Sequence, residues 1–84
     1  MDINELLNAN ELHEAQLLRA RLEELGLSAA IIRILKGRGI NTLGDLTSLT
    51  REDLLRTRFL GRTNVRRIED LLETMDLKLK QPLL

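Results

Sequence analysis

The short, regular spacing of residues that begin or end helices restricts the fold of this chain more than any other feature. Glycines at positions 26, 39 and 61 are typical of helix ends and tight turns. Between them, leucine and isoleucine recur three or four residues apart, whereas no segment alternates as a half-buried strand does. The pattern therefore predicts an all-α fold, a compact bundle of four to five short helices.

Capping residues give the approximate bounds of these helices. We expect helices over Leu12–Leu25, from Ser28 to about Arg38, after Thr42, after Thr50, and from Arg62 to Thr74. Thr42 and Thr50 each precede an aspartate by three residues, which is the spacing of a capping box. The first helix could be capped by Asn8 with Glu11, or by Asn10 alone.

Length and composition limit the sequence to one domain with an aliphatic core. Its 84 residues include one Phe and no Trp, Tyr or Cys, so leucine and isoleucine must supply most of the buried volume. Without cysteine, neither a disulfide framework nor a thiolate metal site is available. No apolar run approaches the roughly 20 residues of a membrane helix, and the start lacks the build of a secretory signal. We therefore expect a reducing, cytoplasmic setting.

The net charge of zero hides an uneven distribution along the sequence. Residues 1–27 carry a net charge of −4 and residues 69–84 one of −2. Residues 28–68 carry nine basic and three acidic side chains, a net charge of +6. A basic middle between acidic ends indicates a positive face for a polyanion or an acidic partner. A solvated surface of mixed sign is the alternative interpretation.

Two helix–turn–helix hairpins follow each other in this basic middle region. The first turns at Gly39-Ile40-Asn41 and the second at Phe59-Leu60-Gly61. In such a unit a hydrophobic turn residue fills the groove between the helices, and we expect Phe59 in that place in the second unit. The glycine permits the sharp bend and leaves backbone amides at the start of the next helix facing outward. With a neighbouring arginine, such amides form a binding site for a phosphate.

The residues around these hairpins resemble the C-terminal domain of the bacterial RNA polymerase alpha subunit. The similarity runs from about Leu17 to Leu79 and is carried by Leu25-Gly26-Leu27-Ser28, Leu35-Lys36, Gly39-Ile40-Asn41-Thr42, Gly44-Asp45-Leu46, Thr50, Glu52, Leu54-Leu55, Leu60-Gly61-Arg62, Ile68-Glu69 and Leu77-Lys78-Leu79. It implies a domain of two helix-hairpin-helix units that binds A·T-rich DNA through the minor groove and contacts transcription activators. The expected domain covers residues 17–79, with an N-terminal helical extension at 1–16 and a frayed tail at 80–84.

The family's DNA-contacting positions are only partly kept in this sequence. Ala30 stands where the family has an arginine that enters the minor groove, and Arg33 replaces an asparagine one turn later. After the family's glycine come two basic residues and a serine, which here are Arg62, Thr63 and Asn64. Because Arg33 lies on the same helical face as Ala30, it could replace the missing arginine. The resulting hypothesis is a DNA-binding surface formed by Arg33, Gly61, Arg62, Asn64, Arg66 and Arg67.

The alternative hypothesis is a protein-interaction or self-association module that has lost DNA binding. Ile34 takes a position that is usually small or polar in the family, and with Ile31 it makes this face more apolar than DNA contact requires. Burial of an isoleucine stabilises by about 1.5–3 kcal/mol, which favours docking against an apolar surface. That surface would belong to the N-terminal helix, to another protein or to a second copy in a homodimer. The candidate contact residues are Leu18, Leu22, Ile31 and Ile34.

Catalysis is not expected of this protein. The single histidine, His13, lies among polar residues without partners for a ligand or base role, so we interpret it as solvated. Glu23 and Glu24 are adjacent on a helix and face apart, which argues against a paired-carboxylate site. The sequence carries no nucleophile–base pair or phosphate-loop motif. The expected class is a binding domain of the bacterial cytoplasm or nucleoid that needs no cofactor or metal.

Overall fold

Five α-helices joined by tight turns make up the described part of the protein, residues 9–83 of a computed structural model with side chains from residue 12. In sequence order they are α1 (Ala9–Leu17), α2 (Ala29–Gly37), α3 (Leu43–Thr47), α4 (Arg51–Leu55) and α5 (Gly61–Thr74), with a short 3-10 helix, Leu22–Glu24, between α1 and α2. The described residues contain no strand, so the predicted all-α fold is confirmed. None of these helices is both long and apolar enough to cross a lipid bilayer.

Capping side chains begin the three middle helices where the sequence predicts them. Ser28 Oγ accepts a hydrogen bond from a backbone amide in the first turn of α2. Thr42 and Asp45 form a reciprocal capping box at the start of α3. Thr50 and Asp53 form a second box at the start of α4. Each cap satisfies amides that the first turn of a helix leaves unpaired, so these three predictions are confirmed.

The two capping aspartates are expected to make the fold sensitive to acid. Hydrogen bonds from the amides of Asn41 and Thr42 hold the pKa of the Asp45 carboxyl below its ordinary value. Hydrogen bonding to Thr50 lowers the pKa of Asp53 in the same way. A pKa depressed by folding gives stability that is present above the unfolded value and is lost as pH falls through the folded value. The midpoint temperature of thermal unfolding should therefore decrease as the pH is lowered below about 4.

Circular dichroism melts between neutral and acidic pH measure this loss. The readout is a plot of the thermal midpoint against pH, whose acid limb is the decrease below about pH 4. In the Asp45→Asn/Asp53→Asn double variant this acid limb should be shallower than in the wild type. Glu52→Gln, at an exposed carboxyl inside α4, is the matched control and should keep the wild-type limb. If the double variant has the same acid limb as the wild type, the capping carboxylates do not cause the loss of stability in acid.

The first helix ends earlier than the sequence predicts. A single helix over Leu12–Leu25 is wrong, because α1 stops well before Leu25 and a 3-10 helix follows a turn. The carbonyl of Leu18 accepts a hydrogen bond from the amide of Gly44 at 2.8 Å, so it does not continue an α-helix. A Cβ atom at position 44 would lie 3.1 Å from that carbonyl oxygen, and glycine allows the close approach. Further backbone bonds join this segment to the start of α3, from Leu43 to Ala20 and from Leu22 to Asn41.

An aliphatic core connects the helices that follow this turn. Its buried members are Leu22, Ile31, Leu35, Ile40, Leu43, Leu46, Leu54, Leu60, Val65, Ile68, Leu72 and Leu79. Thr57 is a buried polar residue, and its hydroxyl donates to the Asp53 carbonyl at 3.0 Å. Among the described residues no buried nitrogen or oxygen of a side group lacks a hydrogen-bond partner. The core is therefore made of the leucine and isoleucine side chains that composition predicts.

Each hairpin turn buries one side chain, but the second turn buries a different one from that predicted. Ile40 fills the first turn, where Gly39 has a φ of +81°. In the second turn Leu60 is 2% exposed and Phe59 is 79% exposed, so the prediction that Phe59 fills the groove is wrong. Phe59 has a φ of +69°, and this left-handed conformation turns its side chain outward while Leu60 enters the core.

The residues after α5 return to the middle of the domain. Leu79 is buried, and the amide of Lys80 donates to the carbonyl of Leu49 at 2.9 Å. Pro82 lies beyond this pairing and is exposed. The buried Leu79 side chain and the Lys80–Leu49 hydrogen bond thus attach this segment to the middle of the domain.

Some expectations about the ends of the sequence are outside the structural description. The predicted caps of the first helix involve side chains beyond the described ones, those of Asn8, Asn10 and Glu11. The division into an extension at 1–16, a domain at 17–79 and a tail at 80–84 stays a prediction.

Candidate nucleic-acid interface

The start of α5 presents backbone amides that no side chain caps. Gly61 is its first residue, with a φ of +80°, and the preceding Leu60 offers no hydrogen bond from its side chain. The first amides of an α-helix lack an intrahelical partner and form the positive end of the helix dipole. A Cβ atom at Gly61 would meet no atom within 4 Å, so the approach to these amides is open. The geometry suits an oxyanion.

Four arginines surround this helix start. They line the α5 cleft, a depression of about 410 Å³ formed by Arg51, Arg62, Thr63, Arg66 and Arg67. Arg62, Arg66 and Arg67 come from the first two turns of α5, whereas Arg51 comes from the start of α4. The structure therefore brings together three of the predicted DNA-binding arginines and adds a fourth.

The four arginines differ in how far neighbouring carboxylates neutralise them. Nε of Arg51 lies 3.1 Å from Glu69 Oε1, which links α4 to α5. Nε of Arg66 lies 3.1 Å from Asp70 Oδ1, one turn further along α5. Arg62 and Arg67 form no ion pair with any described residue. Exposed ion pairs contribute at most about 1 kcal/mol, so a phosphate could replace the carboxylate partners at low cost.

A second cleft connects the start of α2 to the same arginine cluster. The bridging cleft is lined by Gly26, Leu27, Ser28, Ile31, Arg67 and Leu71. Arg67 borders both this cleft and the α5 cleft. The positive surface therefore extends from the start of α5 towards the start of α2.

Arg33 lies in a third depression and not in the α5 cleft. The arginine cleft, as we name it, is lined by Arg33, Ile34, Gly37, Arg38 and the turn residues Arg56–Phe59. The start of α2 is thus beside the middle of α5, and the end of α2 is beside the turn that precedes α5. Arg33 and Arg62 therefore line different clefts.

Asn64, also expected in the site, has a contact within the turn itself. Its Nδ2 donates a hydrogen bond to the carbonyl of Leu60 at 2.8 Å, and the residue is half-buried. This bond crosses the bend at Gly61. Asn64 therefore braces the second hairpin from within α5.

The side chains assigned to a protein partner are largely used by the domain itself. Leu22 and Ile31 are buried in the core, which leaves neither side chain free for a partner. Leu18 and Ile34 are partly buried and pack against that core. The apolar face of α2 is therefore covered mostly by the rest of this domain.

The first helix lies away from the three clefts. His13, Glu14 and Leu17 of α1 share a depression with the residues that follow α5, Met75–Leu77. Helix α1 therefore does not cover Arg33 or Arg62 in the described part of the structure, and both arginines are exposed. His13 is exposed as well, and no group of three or more described His, Asp or Glu side chains is placed to hold a metal ion.

Several residues of these clefts are not among the predicted site residues. Arg51 and Thr63 join the α5 cleft, and Arg38, Arg56 and Arg58 join the arginine cleft. Thr63 is next to a predicted contact in sequence, so proximity alone could have signalled it. Arg38 directly follows α2, whereas Arg51, Arg56 and Arg58 come from elements that only the tertiary fold brings next to α5 or α2.

Comparison with known proteins gives a family for this arrangement. The model of the family described as the C-terminal domain of the bacterial RNA polymerase alpha subunit matches residues 3–74. Among curated relatives, the DNA-directed RNA polymerase subunit alpha of Porphyromonas gingivalis is 40% identical over 68 residues, 81% of this sequence and 21% of the relative. The same subunit is 36% identical over 92% of this sequence in Bacteroides fragilis, covering 23% of that protein. In Clostridium acetobutylicum it is 34% identical over 94% of this sequence, covering 25% of that protein.

These relatives are much longer than the region they share with this protein. The chain spans about a fifth to a quarter of the length of the curated relatives it matches. The comparison therefore concerns one domain of each subunit.

Proposed function

Since the protein belongs to the family of C-terminal domains of the bacterial RNA polymerase alpha subunit, we propose that it is a DNA-binding module with a role in transcription. The description of the family and the names of the curated relatives, subunits alpha of DNA-directed RNA polymerases, support the role in transcription. DNA and proteins of the transcription machinery or its regulators are the proposed partners. Such a role belongs in the bacterial cytoplasm, at the nucleoid.

The α5 cleft is the observation on which this proposal rests. Arg62 and Arg67, which form no ion pair with described residues, flank the uncapped start of α5. Backbone amides and arginines on one side suit the phosphates of one DNA strand, and such contacts fix the position of a protein on the duplex. Arg66 and Arg51 add charge once their carboxylate partners give way to phosphate.

Arg33 has a separate part in the proposal, at the other end of the α2–α5 pair. It replaces the positive charge that Ala30 does not supply, and its guanidinium is exposed. An arginine is the side chain best suited to the narrow, negative minor groove of A·T-rich DNA. Arg33 would enter the groove while the α5 cleft holds the backbone, and Asn64 would keep the turn in shape between them.

Replacing Arg62 by alanine is expected to weaken binding to an A·T-rich duplex about tenfold or more. A hydrogen bond between charged groups contributes roughly 1.5–3 kcal/mol, and its loss affects every sequence alike. The slope of log affinity against log salt should also fall by about 1, because one fewer counterion is released. Fluorescence anisotropy with A·T-rich and G·C-rich duplexes measures both quantities.

Arg19→Ala is the matched control for this experiment. Arg19 is exposed and lies in the turn after α1, outside the three clefts, so its loss should leave the affinity close to wild type. Equal effects of Arg19→Ala and Arg62→Ala would mean that only net charge matters. A wild-type protein that binds neither duplex at low salt would overturn the proposal, and dimers in sedimentation would then indicate self-association.

Arg33→Ala should weaken binding to the A·T-rich duplex more than to the G·C-rich duplex. The reason is that groove width and potential, not the backbone alone, would hold this side chain. The ratio of the two dissociation constants, measured at one salt concentration, is the readout. An unchanged affinity for the A·T-rich duplex would remove Arg33 from the site.

A further inference from the structure

The arginine cleft combines positive charge with an exposed aromatic ring. Its volume is about 310 Å³, and its lining includes four arginines, Arg33, Arg38, Arg56 and Arg58, beside Ile34 and Phe59. The lining contains no acidic residue. Phe59 is the one aromatic residue of the whole sequence, and it is 79% exposed.

The backbone holds Phe59 in this exposed position. Its φ of +69° is uncommon for a bulky residue, and the neighbouring Leu60, 2% exposed, fixes the turn from the core side. The guanidinium carbon of Arg58 lies 4.8 Å from the centre of the Phe59 ring. The Arg58 guanidinium therefore covers one face of the ring as a cation–π contact, and the side chain is still 79% exposed for a ligand to stack on.

The other arginines of the cleft either hydrogen-bond to an uncharged group or lack an acidic partner among the described residues, so they can bind an anion. Nη1 of Arg38 donates to the Thr57 hydroxyl at 3.4 Å, which ties the end of α2 to the turn. None of the four arginines forms an ion pair with a described residue. Asp53 feels the charge of Arg56 but is itself engaged in the capping box of α4. The cleft therefore keeps a net positive charge, with no described carboxylate at ion-pair distance from its arginines.

We propose that the arginine cleft binds an unpaired base of a DNA strand, with Phe59 stacked on the base and Arg38, Arg56 and Arg58 on its flanking phosphates. The proposal rests on the DNA-binding function above and assigns to Phe59 a contact that the backbone-holding α5 cleft does not make. A base offers a flat apolar face between two negative charges, which is the complement of a ring between guanidinium groups. A base inside an intact duplex hides that face, so the cleft selects DNA with an unstacked or unpaired step.

The experiment compares two probes, an A·T-rich duplex and the same duplex with two adjacent unpaired bases in one strand. The wild-type protein should bind the second probe about 5- to 100-fold more tightly, as stacking of a base on an aromatic side chain implies. Phe59→Ala should abolish this preference and leave the affinity for the intact duplex within about twofold. Leu83→Ala removes another exposed apolar side chain, 93% exposed, and should change neither affinity.

A Phe59→Trp variant reports the contact directly. The natural sequence has no Trp or Tyr, so fluorescence excited in the aromatic band comes from position 59 alone. Stacking on a base should quench that fluorescence when the unpaired probe is added, and the preference for this probe should persist. A Trp signal that the unpaired probe leaves unchanged would overturn the proposal, whatever the affinity.

The outcomes separate this proposal from the function it rests on. Binding of the intact duplex that depends on Arg62, with no preference for unpaired bases, overturns the role of Phe59 and keeps the DNA-binding function. A Phe59-dependent preference, with the affinity for both probes unchanged by Arg62→Ala, keeps the cleft assignment and overturns the phosphate site on α5. Phe59-dependent binding of an acidic peptide, without binding of either DNA probe, assigns the cleft to a protein ligand and overturns both.

Discussion

Replacement of Leu60 by alanine is expected to lower the free energy of unfolding by about 2–5 kcal/mol. Leu60 is 2% exposed and belongs to the core between the two hairpins, so its truncation leaves a cavity that the tight turn cannot close. For a domain of this size the loss corresponds to a fall of the thermal midpoint by roughly 10 °C or more. Urea unfolding followed by circular dichroism gives the free energy directly.

The adjacent residue offers a control within the same turn. Phe59→Ala removes a larger side chain, but one that is 79% exposed, and should change the unfolding free energy by less than about 0.5 kcal/mol. The ranking is the reverse of that expected if the aromatic residue filled the groove. A larger loss for Phe59→Ala than for Leu60→Ala would contradict the observed turn.

Raising salt from about 50 to 200 mM should weaken binding to an A·T-rich duplex by roughly a hundredfold. The estimate takes one phosphate contact at each of the four arginines of the α5 cleft, Arg51, Arg62, Arg66 and Arg67. Each contact contributes about −0.9 to the slope of log affinity against log salt. Because these contacts ignore base sequence, a G·C-rich duplex should show a similar slope. Anisotropy titrations at several salt concentrations measure it.

A double variant tests the number of contacts behind this slope. Arg62→Ala/Arg67→Ala should reduce its magnitude by about 2, whereas Arg19→Ala should leave it unchanged. A wild-type slope near zero would mean that phosphates are not held, and the arginines around α5 would then be solvated surface. That outcome would contradict the DNA-binding proposal even if some affinity were measured.

The helix bounds that the sequence predicts well are those set by local chemistry. Ser28, Thr42 and Thr50 cap the helices that follow them, because a capping side chain reaches only three residues along the backbone. Gly39 and Gly61 adopt positive φ values for a reason equally local, the bend that each hairpin needs. Features that depend only on residues a few positions apart can therefore be predicted from the sequence alone.

The predictions that failed depend on contacts between distant residues. The apolar spacing over Leu12–Leu25 fits a helix, but the Gly44 amide draws the Leu18 carbonyl into another bond. Phe59 is the larger of two adjacent apolar residues, yet the direction of the turn gives the buried place to Leu60. Neither outcome follows from hydrophobicity or propensity, because tertiary pairing decides both.

The candidate site also has a part that depends on local sequence and a part that depends on tertiary contacts. Arg62, Arg66 and Arg67 share one helix, so their grouping in the α5 cleft could be predicted from helical spacing. Most neighbours of Arg33 could not, since Arg56, Arg58 and Phe59 meet it only when the end of α2 lies beside the second turn. Sequence reasoning therefore finds the half of the site that is local in the sequence.

Two backbone hydrogen bonds determine where a mechanical force on either end of the domain would act: the bond between Leu18 and Gly44, and the bond between Lys80 and Leu49. Tension applied ahead of Leu18 is delivered to α3, and tension applied beyond Lys80 is delivered to the loop just after α3. Neither pull acts first on α2 or α5. A force applied through a linker at either end would thus leave the shape of the α5 cleft and the arginine cleft unchanged.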